Sequence, residues 1–403
     1  MSDANDPRRF MQGFPPAPDA WVRFDKPQSA VFPQLRWALN HYRELVPTKT
    51  VRRAPVPSAW PHADREALLD ALPFTALTGE ATNWAEAFAS IHTDGLCVLH
   101  KGKVVYERYW GACRAEQPHL VMSVTKSFVG LLAQMLVEEG KLNETALVPA
   151  YLPEMAGTAY DTATVRDVMD MRIGVRYSET YTDPAAEVWD YGRAGGMMAR
   201  AKDYTGPETL YEFLRALKQE GPHGEAFAYK TVSTEVLAWI VKRVEGRDLA
   251  TILSDRIWSR IGTEEDAYFN IDIAGTEVGG GGLNATLRDL ARFGEMMRND
   301  GSGVVPKAVV DDIRFNGSAE AFKPAGYVTL PGWAYRNMWW VSNNAHGAYM
   351  ARGIYGQNIY IDPKAEMVIS RVGSHTVAAN TATDHLVLPA YQAVAEALMA
   401  GTV

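Results

Sequence analysis

The chain has 403 residues, 47% of them apolar, enough for two or three structural units around a sizeable core. Forty Lys and Arg against 48 Asp and Glu leave a net charge of −8. That balance excludes the broad cationic footprint of a non-specific nucleic-acid binder and points to small-molecule partners.

No apolar run approaches the ~18 to 20 residues of a membrane span, because Phe128 to Val137 is broken by Gly130 and Gln134. The opening stretch, MSDANDPRRFMQGFPPAPDAW, carries acids and prolines where a signal peptide has its apolar run, so a cytoplasmic protein is expected. Cys97 and Cys113 are the only cysteines, which is neither a disulfide framework nor a zinc site and leaves one bridge open.

Residues 1 to about 60 are rich in proline and weakly periodic, and read as an extended arm of a kind that rarely carries chemistry. From Gly95 to Tyr109 two apolar runs flank His100-Lys101-Gly102-Lys103, a β-hairpin pattern. After Pro118 the period becomes helical: Val124, Phe128, Leu131, Leu132, Met135 and Leu136 form one stripe that ends at Glu139-Gly140-Lys141, with Ser123 at its start. Further helices are expected over Val165 to Met171, Thr209 to Leu217, Thr234 to Val244, Leu249 to Ile261 and Ala285 to Met297. Gly279 to Gly282 reads as a backbone hinge near the site. Gly353 to Ile361 and Met367 to Val372 form a second hairpin, followed by a helix over Leu388 to Met399. Sheet at both ends with helices between predicts an α/β (α+β sandwich) architecture with a helical insertion. Residues 1–122 and 281–403 form the α/β part with its arm, 123–280 the mostly α-helical part, and the active site lies between them.

The sharpest chemical signal is Ser123 and Lys126. On a helix, positions i and i+3 share a face with Cβ atoms ~5 to 6 Å apart, so a hydroxyl and an amine there can exchange a proton. The helix N-terminus adds a partial positive charge that favours an alkoxide and an oxyanion. No Gly-x-Ser-x-Gly elbow, His-Glu-x-x-His or Walker loop competes, and the nine His lack metal-ligand spacing. Neither cofactor nor metal is expected.

The run from His119 to Ser127 resembles the first motif of the serine β-lactamase and DD-peptidase superfamily. Supporting stretches are Tyr177 to Pro184, Phe227 to Tyr229 with Val236 to Val241, Gly281 to Arg292, and Gly353 to Asn358. Within the superfamily the set is closest to the class C β-lactamase-like hydrolases, in particular the 6-aminohexanoate-dimer hydrolases. The resemblance implies an antiparallel sheet flanked by helices with an inserted helical domain, and a serine hydrolase that cleaves a small amide or ester through an acyl-enzyme. It makes Ser123 the nucleophile and Lys126 with Tyr229 the proton carriers, either of which could be the base. The N–H groups of Ser123 and Ile354 would hold the oxyanion, beside Gly353, while Tyr181 would meet the substrate; apart from the resemblance, Trp339 and Trp340 are candidates to line an apolar acyl pocket. Thr231 stands where the second motif has Asn, and of the third motif only Gly353 remains, which predicts poor β-lactam recognition. A carboxylesterase of the same fold and a catalytically silent binding protein are the alternatives. A homodimer is compatible with the sequence.

Overall fold

The computed structural model describes residues 9–403. Its centre is a seven-stranded antiparallel sheet, in the order Lys103–Tyr109, Thr93–His100, Met367–Gly373, Gln357–Asp362, Tyr349–Gly353, Trp339–Val341 and Ala334–Arg336. The first hairpin closes on Lys101 and Gly102, both at positive φ (52° and 74°), the geometry that matches the twist of a two-residue turn to its strands. Val98 then pairs with Ile369, joining the two ends of the chain in one sheet.

Both faces of this sheet are covered, so its central strands are buried almost throughout rather than alternating. The helix Leu287–Arg298 packs on one face, where Gly294 lies against Ile359 and Val368. Tyr360, one residue along and therefore on the opposite face, meets Tyr391 of the C-terminal helix Asp384–Ala400 at 5.0 Å between ring centroids. That helix starts four residues before the expected Leu388 and runs through Pro389. Pro389 has no N–H for the carbonyl of His385, which instead accepts from the Leu77 N–H at 2.9 Å. Among the described residues no helix is long and apolar enough to cross a membrane.

The second hairpin is interrupted where a continuous strand was expected. Tyr349–Gly353 ends at Gly353, a 3-10 turn covers Ile354–Gly356 with Tyr355 at φ 66°, and the next strand begins at Gln357. A smaller antiparallel sheet, unanticipated from sequence, joins Thr48–Val51, Ala267–Asn270, Leu283–Ala285 and His119–Leu120. It ties the arm to the segment that leads into Ser123.

Helices Val124–Glu138, Val165–Met169, Leu210–Ala216, Thr231–Glu245 and Leu249–Arg256 form the helical region. Every residue from Val124 to Leu136 is buried, because this helix lies between the sheet and Thr231–Glu245 and has no solvent face. One contiguous apolar core runs through sheet and helices alike. Cys97 and Cys113 are buried and unpaired.

Candidate active site

Ser123 is presented by a forced turn. The strand His119–Leu120 is followed by Met122 in the left-handed region (φ 49°), and the helix begins immediately after Ser123. A non-glycine residue held there stores backbone strain of ~1 kcal/mol or more, which the surroundings must over-determine. They do so through Thr125, whose hydroxyl donates to the Met122 carbonyl at 2.7 Å and accepts from the Leu283 N–H at 3.0 Å. Ser123 makes no capping bond of its own, so its hydroxyl is free for other work.

Lys126, only 1% exposed, reaches back along the helix face and donates to Ser123 Oγ at 2.7 Å and to the Gly280 carbonyl. Burial pulls its pKa down from 10.5 to about 8, against the opposing charges of Glu179 and Glu235. Its Nζ lies 5.2 Å from the centroid of the Tyr229 ring. Tyr229 lies two residues before the helix Thr231–Glu245, and burial, reinforced by the negative charge of Glu179, drives its phenol well above the ordinary value. Of the two candidate bases, the amine is therefore poised near neutral pH and the phenol is poised to stay protonated.

Gly353 needs its hydrogen. A Cβ there would sit 2.6 Å from the Val121 carbonyl and 3.0 Å from the Ser123 nitrogen, so only glycine lets the strand end approach Ser123. Ile354 follows at once and lines the same space as Ser123. Among the described residues neither the Ser123 nor the Ile354 N–H has an acceptor. The Ile354 peptide is anchored from behind by Gln357, whose amide donates to the Ile354 and Gly373 carbonyls at 3.1 and 2.7 Å.

The Gly279 to Gly282 run is a fixed strap rather than the expected hinge. The Gly279 and Gly280 N–H groups donate to the buried carboxylate of Glu235 at 2.9 and 2.7 Å, and the Tyr191 hydroxyl adds a third bond at 2.6 Å. This holds the Gly280 carbonyl where Lys126 uses it. Glu235 was missed from sequence; the available signal was an acid on an otherwise apolar helix face with Thr231, Val232 and Val236.

Tyr181 is half-buried, donates to Glu179 at 3.3 Å and borders the cavity on both sides of Ser123. Glu179, also missed, further accepts the Thr231 N–H at the start of the Tyr229 helix. Trp339 requires a correction, for it is not a pocket residue. Fully buried, it stacks on Phe293 and donates its indole N–H to the Ser127 carbonyl at 3.1 Å. Successive strand residues face opposite sides, so of the expected pair only Trp340 lines the cavity, stacked on Tyr229 at 5.6 Å. The arm is corrected too: Leu35, Leu39 and Tyr42 form a wall of the cavity beside Ser123.

The β-lactamase family model matches residues 82–391. The chain is 36% identical over 348 residues to the 6-aminohexanoate-dimer hydrolase of Paenarthrobacter ureafaciens, covering 85% of this chain and 86% of that one. Among solved structures, a Bacillus anthracis protein provisionally named 6-aminohexanoate-dimer hydrolase superposes with a TM-score of 0.85 at 34% identity, over 94% of this chain and 97% of its own. A family VIII carboxylesterase shares the fold at a TM-score of 0.54 and 15% identity, over 77% of this chain and 96% of its own. With the Ser123–Lys126 helix, the Gly353 edge and the covered antiparallel sheet in place, the chain belongs to the β-lactamase family and is a serine hydrolase homologous to the 6-aminohexanoate-dimer hydrolases.

Proposed function

We propose that Ser123 hydrolyses small amide or ester bonds through a covalent acyl-enzyme, with Lys126 as its base and Tyr229 as the proton donor to the leaving group. The observation that carries this reading is the buried 2.7 Å contact between Lys126 Nζ and Ser123 Oγ with the lysine pKa near 8. In the neutral form that contact reverses, and the Oγ–H proton passes to Nζ as Oγ bonds to the carbonyl carbon. The oxygen's developing charge falls to the Ser123 and Ile354 N–H groups. The Tyr229 proton goes to the leaving nitrogen or oxygen as its bond to carbon breaks, and the phenolate is refilled from protonated Lys126. Water then attacks the acyl-Ser123 ester by the reverse proton route, and the acid leaves.

Tyr181 would orient the scissile group from the mouth of the site. The site would lie where residues 123–280 meet the sheet-bearing remainder of the chain, and a cytoplasmic setting suits its unpaired thiols. A carboxylesterase is the second reading, favoured by Thr231 in place of a substrate-binding amide. A silent scaffold would have no use for a lysine buried against a serine. The test is fluorophosphonate labelling read by intact mass. One adduct is expected on the wild type and none on Ser123→Ala, with stability within about 1 kcal/mol since Ser123 makes no capping bond. Equal labelling or equal turnover by both proteins would overturn the assignment.

A further inference from the structure

Two compartments meet at Ser123 and share Ser123, Tyr181 and Ile354. One, of about 220 Å³, holds two charged side chains, Glu179 and Arg352, beside Tyr229. The other, of about 160 Å³, is walled by Leu35, Leu39 and Tyr42 from the arm and by Met122, Val188 and Met197 from the body. None of its lining side chains is charged. Glu235 is the carboxylate behind this wall, and its oxygens are already taken by Tyr191, Gly279 and Gly280.

The position of Tyr229 decides which half of a substrate goes where. It borders the compartment that holds Glu179 and Arg352 and not the uncharged one, and a proton donor must come within hydrogen-bond reach of the atom that leaves. The leaving group therefore occupies the compartment with the charged side chains, and the acyl chain extends into the uncharged, apolar one. A cavity of about 160 Å³ is close to the ~150 Å³ apolar cavity known to hold benzene, so it has room for about six carbons. An ammonium carried into it would lose its water and find no counter-charge.

We propose that the acyl half of the substrate is a neutral, linear aliphatic chain of about six carbons, clasped by the N-terminal arm, rather than an ω-ammonioalkanoyl chain. This rests on Tyr229 as proton donor in the reading above. It also separates this chain from an enzyme acting on a 6-aminohexanoate dimer, whose acyl half ends in an ammonium.

The test compares p-nitrophenyl acetate, hexanoate, decanoate and 6-aminohexanoate at pH 7, where one leaving group isolates the acyl side. Hexanoate should exceed 6-aminohexanoate in kcat/KM by at least about 100-fold, and exceed decanoate. Ala30→Phe, at an exposed position lining the apolar compartment, should lower the hexanoate-to-acetate ratio by about 10-fold. Equal or better turnover of 6-aminohexanoate would overturn the proposal while Ser123-dependent acetate turnover kept the hydrolase reading standing. Absence of turnover on all four esters together with no adduct on Ser123 would overturn the hydrolase reading, and this proposal with it.

Discussion

Lys126 makes the pH dependence of this enzyme a direct test of its machinery. The gap between the ordinary 10.5 and about 8 corresponds to roughly 3 kcal/mol of bias against the ammonium, imposed by burial. With the neutral amine as base, kcat/KM on a short ester rises tenfold per pH unit up to an apparent pKa of about 8 and then levels. About 10% of the amine is free at pH 7 and about 1% at pH 6. Lys126→Met, apolar and of similar length, should lose activity by ~10³-fold or more and lose that limb. The sign for stability follows from the same numbers. Between pH 8 and 10.5 the unfolded lysine still holds its proton while the folded one has released it, so wild-type stability relative to Lys126→Met rises with pH across that window by up to roughly 3 kcal/mol. The gain is complete above 10.5 and lost as pH falls to about 8. Initial rates from pH 5.5 to 10 and urea melts at three pH values read both effects. An acid limb near 6 or near 10, or the same limb retained in Lys126→Met, would refute the lysine as base.

Gly353→Ala should lower kcat by ~10² to 10³-fold, since its Cβ would meet the Ser123 nitrogen at 3.0 Å and push the Ile354 N–H off line, with a stability loss of ~1 to 3 kcal/mol. Steady-state kinetics beside a thermal melt separate the two, and near-normal kcat would remove Ile354 from the oxyanion role. Tyr181→Phe should lower amide hydrolysis by ~10-fold or more, about 1.4 kcal/mol, while sparing short esters, because an amine leaves only when protonated and oriented. Equal loss on both classes would place Tyr181 in general binding.

What was legible in the sequence was local. The hairpin around Lys101 and Gly102 announces itself by two apolar runs and a turn, and the helix after Ser123 by a continuous 3.6-residue stripe. Pairings between distant segments carry no such mark. The four-stranded sheet draws on strands of two to four residues, too short for a period, and Thr48–Val51 acquires its partner Ala267–Asn270 only through tertiary contact. The interruption at Ile354–Gly356 was hidden for a related reason, since Ile354 and Tyr355 are β-formers by type and nothing local marks the turn they make beside Ser123.

The same distinction runs through the site. Ser123 and Lys126 are visible because the helix itself sets their separation, and no other part of the fold is needed to bring them together. Glu235, Glu179 and the arm act through space. Glu235 holds a strap more than forty residues away in the chain, and Leu35 and Leu39 are ordinary helix leucines until the arm crosses the mouth of the cavity. The Trp339 and Trp340 pair shows how narrow the margin is, since a strand period of two makes one residue the difference between the packed core and the wall of the site. Ser123 and Lys126, the proposed nucleophile and base, thus sit in a local motif that a family can share, whereas the wall that would select the acyl chain is assembled from a segment with no motif at all. It follows that relatives can keep Ser123 and Lys126 in register while differing in what they accept, and that substrate preference here has to be measured on the arm-lined compartment rather than inferred from the motif.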